Sequence, residues 1–303
     1  MTNPKFGSDP EVFAFYDQWE ERYAMSPISL EDEYNLTPIF DDIKHPVYYQ
    51  NKDGVVIMDG VAFEFNLKRP FSTSADMFTA LKKLQKEFNE YLLLKVGWET
   101  IAQPCINFDV DKWWNNSIDS NERSLQGFIF GCDRSYNIYS DRPAPFISAR
   151  EHPFRYGAGH IHISHPILTD NPLQSIRAMD MLFGTYYMSK AVDKKGELLR
   201  SKIYGKPGSF RPKGFSYNGE DASEQYSDGS TGIEYRTPSN NWLNLSVEEF
   251  SVLDQLTDKL LCLLSSKDKL VKAFNAFLEP ANESILTANF KLAEQVYNNV
   301  LEV

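Results

Sequence analysis

The sequence predicts an α+β fold in which antiparallel strands carry a polar site and helices pack outside the sheet. Five short segments alternate apolar and polar residues with the period of two that a strand requires. Longer segments repeat apolar residues with the helical period, and they separate or follow the strands. No repeat, low-complexity tract or linker divides the chain, so we expect a single domain over residues 1–303.

The composition is typical of a soluble globular protein, with 42% hydrophobic and 24% charged residues. The sequence contains no apolar run of transmembrane length and no apolar segment of the kind that begins a signal peptide. Its three cysteines are odd in number and widely spaced, which fits neither a disulfide framework nor a zinc knuckle, and we expect a cytoplasmic protein. The net charge of −11 argues against broad nucleic-acid binding.

The first third of the chain predicts a hairpin pair followed by a long helix. Residues 16–43 are rich in Asp, Glu and Tyr and favour irregular structure or a short helix. Residues 44–68 alternate on both sides of an Asn-Lys-Asp-Gly turn, which is typical of hairpin strands. A helix is expected from Ser74 to Val96, because one apolar stripe runs along it and Gly97 can end it.

The middle of the chain predicts two strands and a second helix. The strands are expected over 98–108 and 125–132, with an acidic surface loop over 109–124 between them. Asn171 and Pro172 are an N-cap and a first helical residue, and the apolar stripe that follows continues the helix to about Val192.

The last third predicts a polar loop and then helices. Residues 214–231 are rich in Gly, Ser, Asp and Glu and can act as a lid. Ser246 with Glu249 three residues later is a capping box, which begins a helical part over residues 246–303.

The most informative segment contains four of the five histidines, within residues 152–165. Read as a strand, it presents His160, His162 and Ser164 on one face and two isoleucines on the other. Imidazoles on a buried face are costly unless they find ligands or hydrogen bonds. The Gly157–Gly159 approach lets another group come close to the backbone. This is the first place to expect a site.

Four other segments place charged side chains on one face of a strand in the same way. Any one of them is better explained as a half-solvated strand without function, but five together favour a polar, metal-bearing face. The charged residues are Asp9 and Glu11 in 7–15, Glu64 in 61–67, Lys206, Arg211 and Lys213 in 204–213, and Glu234 and Arg236 in 231–238.

These motifs, in this order, resemble the carboxylate–amine ligase superfamily, which includes glutamine synthetase and the glutamate–cysteine ligases. The resemblance is closest to the phage-encoded COOH–NH2 ligase type 2 amidoligases, in which Gly131-Cys132-Asp133 followed by Asn137 also fits. It covers residues 6–242. The motifs are Gly-Ser-Asp9-Pro-Glu11, Glu64-x-Asn66 with Pro70 after it, Gly-Ala-Gly-His160-x-His162-x-Ser164, Tyr-Gly-Lys-Pro-Gly-x-Phe-Arg211-Pro-Lys213 and Gly-Ile-Glu234-Tyr-Arg236.

The resemblance implies a glutamine synthetase-like catalytic fold, with a curved antiparallel sheet forming a funnel that holds ATP and two or three Mg²⁺ ions (or Mn²⁺). It assigns metal binding to Asp9, Glu11, Glu64, His160 and Glu234. It does not identify a third carboxylate for the first metal, for which Asp59 is a candidate. It assigns nucleotide contacts to His162, Ser164 and Lys213. It implies that Arg211, Arg236 and Lys206 contact the transferred phosphoryl group and neutralise its charge. Asp9 departs from the family, which has a glutamate at that position.

The implied activity is an ATP-dependent carboxylate–amine ligase, which forms an amide bond through an acyl phosphate. The expected partners are small-molecule or peptide carboxylates and amines, without a membrane, in the host cytoplasm if the protein is phage-encoded. The loops over 133–150 and 214–231 are the candidate specificity loops, and the first contains Arg134, Arg142 and Arg150 for an anionic substrate.

Two other interpretations remain open. A cupin-like or hydrolytic metalloenzyme could be built on His160-x-His162, although the glutamate that a cupin needs after the second histidine is absent. A third histidine for zinc would have to be His152 or His165, and His165 is interpreted as structural. A non-enzymatic virion or interaction protein on the same fold is the second alternative.

Overall fold

The computed structural model describes residues 3–18, 21–27, 29–32, 34–42, 45–108, 135–140, 152–217 and 228–303. The strands in these ranges are Lys5–Ser8 (β1), Glu11–Gln18 (β2), Glu21–Met25 (β3), Val47–Gln50 (β4), Gly54–Asp59 (β5), Ala62–Leu67 (β6), Glu99–Ile101 (β7), Cys105–Asn107 (β8), Tyr136–Asn137 (β9), Phe154–Tyr156 (β10), Ile161–Ser164 (β11), Ser209–Lys213 (β12) and Gly232–Tyr235 (β13). The helices are Ser29–Asp32 (α1), Ser74–Val96 (α2), Pro166–Asp170 (α3), Pro172–Met179 (α4), Thr185–Lys190 (α5), Lys194–Ile203 (α6), Val247–Leu264 (α7), Lys267–Leu286 (α8) and Phe290–Leu301 (α9). A π-helical turn spans Asp180–Gly184 and a 3-10 turn spans Asn240–Asn244.

The strands form two main antiparallel sheets. The first has the order β1-β11-β13-β12-β9, and the second has the order β3-β2-β6-β5-β4, with β7 also paired to β2. The chain passes from the first sheet to the second through Asp9 and Pro10, which connect β1 to β2. The strands curl into an antiparallel half-barrel, so the predicted α+β class is confirmed.

Helices cover the apolar side of the sheets. The 23-residue helix α2 packs against β5, β6 and the helix α7, and most of its apolar stripe is buried. Ile161 and Ile163 of β11 and Ile233 of β13 lie in the same hydrophobic cluster. Because strand side chains alternate, His162 of β11 and Glu234 of β13 must point to the opposite face, as the sequence predicts.

Two predicted helix boundaries are confirmed residue by residue. Helix α2 runs from Ser74 to Val96, and Gly97 ends it with a φ of 76° and an N–H that donates to two carbonyls of the last turn. At the start of α7, Ser246 and Glu249 form the reciprocal bonds of a capping box. Both ends follow local rules, so tertiary packing did not displace them.

Two predicted elements were wrong in detail. Residues 16–43 contain the end of β2, the strand β3 and one turn of helix, because β3 pairs with β2. The strand over 98–108 is two short strands that pair with different partners. The helix expected from Pro172 to about Val192 is confirmed as a continuous helical segment that ends at Lys190, with a π-helical turn over Asp180–Gly184 inside it. The loop over 109–124 and the strand over 125–132 lie outside the described residues.

Candidate active site

One row of side chains crosses the first sheet at a single level. The register aligns His162 of β11 with Glu234 of β13, and Glu234 in turn with Arg211 of β12. Gly7 of β1 faces His162 from the other side. The pairing therefore brings together a histidine, a carboxylate and a guanidinium from three strands.

Glu234 lies at the centre of this row and is completely buried. Arg236 forms an ion pair with Oε1, and Lys213 Nζ lies 3.1 Å from Oε2. Arg211 Nη1 lies 3.8 Å from the same oxygen. Burial raises the pKa of Glu234, but the three cations outweigh burial and hold its pKa well below the usual range. The carboxylate is therefore ionised within a positively charged surrounding.

His162 of β11 and His160, the residue before β11, both contact Asp9, which lies between the two sheets. The Oδ1 atom of Asp9 is 3.0 Å from His160 Nδ1 and 3.1 Å from His162 Nε2. Burial raises the pKa of Asp9, but the two histidines outweigh it and hold its pKa well below the usual range. Burial and the positive charge of Arg236 lower the pKa of His160 to about 4, so its ring is neutral at pH 7.

The other nitrogen of His160 contacts a tyrosine that the sequence analysis does not assign. His160 Nε2 lies 2.7 Å from the hydroxyl of Tyr204, at the end of α6. Arg236 Nη2 donates to the same hydroxyl at 2.7 Å, and its Nε donates to Ser135 Oγ at 2.8 Å. The side chain of Arg236 is thus fixed on several sides. Tyr204 occurs in the quoted Tyr-Gly-Lys-Pro motif, but no local pattern points to this contact.

A second cluster, made only of carboxylates, lies on the second sheet. Glu11 of β2 and Glu64 of β6 face each other in the register, and Asp59 at the end of β5 completes the group. One oxygen of each of the three lies within 4.8 Å of the others. Asp59, a further candidate in the sequence analysis, is therefore in the cluster.

Negative charge accumulates at Glu64. Burial raises its pKa well above the usual range, and the charges of Asp9, Asp59 and Glu11 raise it further. The amide of Asn66 donates to Oε1 at 2.6 Å and opposes this shift. A bound cation would neutralise the cluster, and without one Glu64 retains a proton to higher pH. Only Pro10 separates Asp9, which contacts the two histidines, from Glu11 of this cluster, so the two clusters are neighbours.

The glycine-rich approach to β11 packs against the chain itself. A Cβ atom at Gly159 would lie 2.1 Å from the carbonyl oxygen of Ser239. Ala158 N–H donates to Glu11 Oε2 at 3.1 Å, and the Asn240 amide donates to Glu11 O at 2.8 Å. The group that comes close to the backbone here is thus the segment after β13. This segment contains Arg236 and also binds Glu11 through Asn240, so it fixes the two residues relative to each other.

A buried arginine joins these segments. Arg200 of α6 donates to the carbonyl oxygens of Gly157, Thr237 and Pro238 at 3.0, 2.7 and 2.8 Å. Its side chain is buried, and Gly205, with a φ of 66°, leaves room for the guanidinium. Sequence reasoning missed Arg200, because it lies on a helix without a charge motif and acts through backbone carbonyls.

The donor sets fit divalent cations. Three carboxylates supply the oxygen ligands that Mg²⁺ prefers, and a group of Asp9, His162 and Glu234 offers two carboxylates and an imidazole within 4.8 Å, which suits Mg²⁺ or Mn²⁺. His160 Nδ1 is also 3.4 Å from Glu234 Oε1, so either histidine is placed to contribute to the second group.

Most of the residues that the resemblance assigns converge here, and a few do not. The side chain of Lys206 is exposed, and in the part of the chain that the structure describes no ion pair joins it to Glu234. Ser164 donates to Thr231 O at 2.7 Å. His165 caps α3 by accepting from Ile167 N at 3.2 Å, which agrees with its structural interpretation. The remaining predicted positions lie outside the described residues: Gly131, Cys132, Asp133, Arg134, Arg142 and Arg150.

Comparison with known proteins adds no assignment. No protein-family model matches the sequence, and no curated protein matches it either. The helices that the structure describes include none long and apolar enough to cross a membrane. The function must therefore be argued from the site itself.

Proposed function

We propose that this protein is an ATP-dependent carboxylate–amine ligase with a glutamine synthetase-like fold. The observation that carries the proposal is that one site contains a cationic half and an acidic half as neighbours. Arg211, Lys213 and Arg236 surround one buried carboxylate, and three further carboxylates lie beside it. A nucleoside triphosphate with bound Mg²⁺ ions has the complementary distribution of charge, because its phosphates can contact the cationic side chains and its Mg²⁺ ions the carboxylates.

Each half has a defined role in the proposal. Glu11, Asp59 and Glu64 would hold one cation, and Asp9, Glu234 and a histidine would hold another. Bound Mg²⁺ would neutralise phosphate charge and orient the polyphosphate. Arg211 and Lys213 are partly exposed at the edge of the site, where they can contact the γ-phosphate as it is transferred.

The reaction that fits this arrangement proceeds in two steps. A substrate carboxylate oxygen attacks the γ-phosphorus of ATP, so that the bond to ADP breaks and an acyl phosphate forms. A substrate amine then attacks the acyl carbon, loses a proton and expels inorganic phosphate. Positioning and charge neutralisation provide most of the catalysis in phosphoryl transfer, and these are what a rigid, charged sheet face supplies.

Calorimetric titration with a non-hydrolysable ATP analogue, with and without Mg²⁺, tests the proposal. We expect binding that strengthens with Mg²⁺. Glu11→Gln should remove the Mg²⁺ dependence, whereas Arg211→Gln should weaken nucleotide binding by about 10-fold or more even without Mg²⁺, since a charge-assisted phosphate contact is lost. Lys202→Met, on the exposed face of α6, is the matched control and should bind like the parent protein.

The chemical step has its own test. Incubation with ATP, Mg²⁺, hydroxylamine and a set of carboxylates should yield a hydroxamate for a substrate acid. An acid labelled with ¹⁸O should transfer one labelled oxygen to phosphate, as the acyl phosphate route requires. Absence of nucleotide binding together with tight zinc would instead favour the His160-x-His162 hydrolase. Absence of both nucleotide and metal binding would favour a non-enzymatic interaction protein.

A further inference from the structure

The hydroxyl oxygen of Tyr204 contacts two side chains of the site at once, the imidazole of His160 and the guanidinium of Arg236. Its hydroxyl lies 2.7 Å from His160 Nε2 and 2.7 Å from Arg236 Nη2. Arg236 forms an ion pair with Glu234, and His160 Nδ1 faces Asp9 Oδ1 at 3.0 Å. The hydroxyl therefore lies between a guanidinium and an imidazole that both touch the acidic groups of the site.

The direction of the hydrogen bonds follows from the chemistry of these groups. A guanidinium can only donate, so Arg236 donates to the phenolic oxygen. The hydroxyl then has its own proton to donate, and His160 Nε2 is an acceptor within reach. A neutral imidazole carries one N–H, which this arrangement places on Nδ1, where it donates to Asp9. The ring of His160 is thereby fixed in one tautomer and one orientation.

We propose that Tyr204 is a positioning residue, whose hydroxyl fixes the ring of His160 at the cation site and couples it to Arg236. This inference rests on the proposed function for its link to a cation, but the fixed ring is a property of the metal-free protein. Partners of this kind behind a metal-facing histidine typically contribute 10-fold to 100-fold to metal affinity, roughly, because they set ring orientation.

A hydroxyl suits this position better than a carboxylate or an ammonium group. When no cation is bound, the hydroxyl donates to Nε2 and the Nδ1 proton satisfies Asp9. A cation at Nδ1 would require the ring proton to reside on Nε2, and the same hydroxyl oxygen could then accept it. Arg236 can keep its bond to the oxygen in both states. Tyr204 can therefore support the empty site and the loaded site without moving.

The matched pair of variants is Tyr204→Phe and Tyr156→Phe. Both remove one phenolic hydroxyl that contacts a histidine, since Tyr156 OH lies 2.6 Å from His152 Nε2, away from the carboxylate clusters. Both retain the aromatic ring, and thermal unfolding of each variant verifies that it is folded. Only the Tyr204 change should affect the site.

The first readout is the ¹⁵N spectrum of the histidine rings in metal-free protein near pH 7. We expect the Nδ1–H tautomer for His160 in all three proteins, because Asp9 accepts from Nδ1. The Nε2 resonance should shift in Tyr204→Phe alone, because that nitrogen loses its hydrogen-bond donor. The parent spectrum is informative by itself if Tyr204→Phe does not fold. A parent ring in the Nε2–H tautomer, or an unchanged His160 spectrum in Tyr204→Phe, would overturn the inference.

The second readout is the dissociation constant for Mn²⁺ alone, measured by electron paramagnetic resonance. Tyr204→Phe should raise it by about 10-fold or more, and Tyr156→Phe should leave it within about two-fold. Equal Mn²⁺ affinity in all three proteins would reject the positioning role and leave the ligase proposal standing. If the parent protein binds no Mn²⁺ but the Nε2 resonance of His160 shifts in Tyr204→Phe, the cation site is rejected and the contact of Tyr204 with the ring is retained.

Discussion

Glu11 of β2 and Glu64 of β6 lie directly opposite each other in the antiparallel register. Like charges at such a cross-strand position destabilise a sheet, and Asp59 adds a third carboxylate within 4.8 Å. The ligand-free fold therefore contains unfavourable electrostatic energy at one point of an otherwise well-packed half-barrel. A divalent cation would convert this repulsion into attraction, and the predictions about the second sheet start from this pair.

Relative to the parent, Glu64→Gln should raise the free energy of unfolding when no cation is present and lower it when a cation is bound. Without a divalent cation, and at a pH high enough to ionise Glu64, the variant should be more stable than the parent, by up to about 1 kcal/mol, because one of the opposed charges is removed. The parent should gain about 2.7 kcal/mol when Mg²⁺ or Mn²⁺ is present at 100 times its dissociation constant, and the variant should gain much less. Urea unfolding with EDTA and with the cation measures both effects.

The control for this experiment is Glu90→Gln on the exposed side of α2, where the side chain is 67% exposed. It removes the same charge from the protein and should show neither effect. A Glu64→Gln variant that is destabilised in EDTA and still gains the full stabilisation from the cation would exclude Glu64 from the cation site.

Gly159→Ala should disrupt the site through backbone packing. The added methyl group would lie 2.1 Å from Ser239 O and 2.4 Å from Trp242 Nε1, so β11 must shift away from the segment after β13. We expect a loss of about 1–3 kcal/mol in stability, as for other overpacked sites, together with a loss of Mg²⁺-dependent nucleotide binding. Thermal unfolding and calorimetry on the same sample provide the two values.

Gly97→Ala is the comparison for Gly159→Ala. Gly97 has a φ of 76° at the end of α2, so alanine there should cost about 1 kcal/mol through backbone strain. Its nearest neighbour is a tyrosine ring carbon at 3.6 Å, away from the carboxylate clusters. Nucleotide binding should survive this change. Loss of binding in both variants would mean that general destabilisation, and not local displacement, explains the Gly159 result.

The residues that sequence reasoning places well are those governed by local rules. The bounds of α2 follow from its apolar stripe and Gly97, and the alternating faces of β11 follow from His162, Ser164 and the two isoleucines. The hairpin of β2 with β3 was missed, because its acidic residues do not alternate clearly and pairing with a neighbouring strand supplies the stability. A weak local pattern was thus overridden by tertiary contacts.

The charged motifs predict which residue types share a site but not how they are grouped. The resemblance assigns His160 to a metal and His162 to the nucleotide, whereas the structure places both on Asp9. Tyr204 and Arg200 act through long-range contacts with a ring nitrogen and with backbone carbonyls. Contacts of this kind depend on the register of distant strands and leave no periodic signal in the chain.

Arg200→Met should strongly destabilise the protein, although Arg200 contacts no proposed ligand. The change leaves Thr237 O without its Arg200 donor, which costs about 1–3 kcal/mol, whereas Gly157 O and Pro238 O still accept from Asn240 N and Gly159 N. Because two further charge-assisted bonds are also lost, we expect a total loss of about 2–5 kcal/mol. Urea unfolding measures it, with Arg22→Met as the control. The Arg22 side chain is 47% exposed and pairs with an exposed Asp17, so its loss should cost less than about 1 kcal/mol.

Asp180 should make stability fall as the pH rises from about 4 to about 6. This buried carboxylate of the π-helical turn accepts from the hydroxyls of Tyr235 and Tyr139 and from Gly208 N. Burial outweighs these bonds and raises its pKa to about 6 from 3.8. Between these values the native protein holds a proton that the unfolded chain has released, so rising pH favours unfolding.

Asp180 should lower the free energy of unfolding by an amount on the order of 3 kcal/mol. This loss is complete above about pH 6 and absent below about pH 4. Asp180→Asn does not titrate, so the difference in unfolding free energy between parent and variant should shift by that amount across this interval. The exposed Asp258→Asn should leave the pH profile of the parent unchanged. If the difference between parent and Asp180→Asn stays constant from pH 4 to pH 7, Asp180 is ionised throughout. Its three hydrogen bonds would then outweigh the cost of burial.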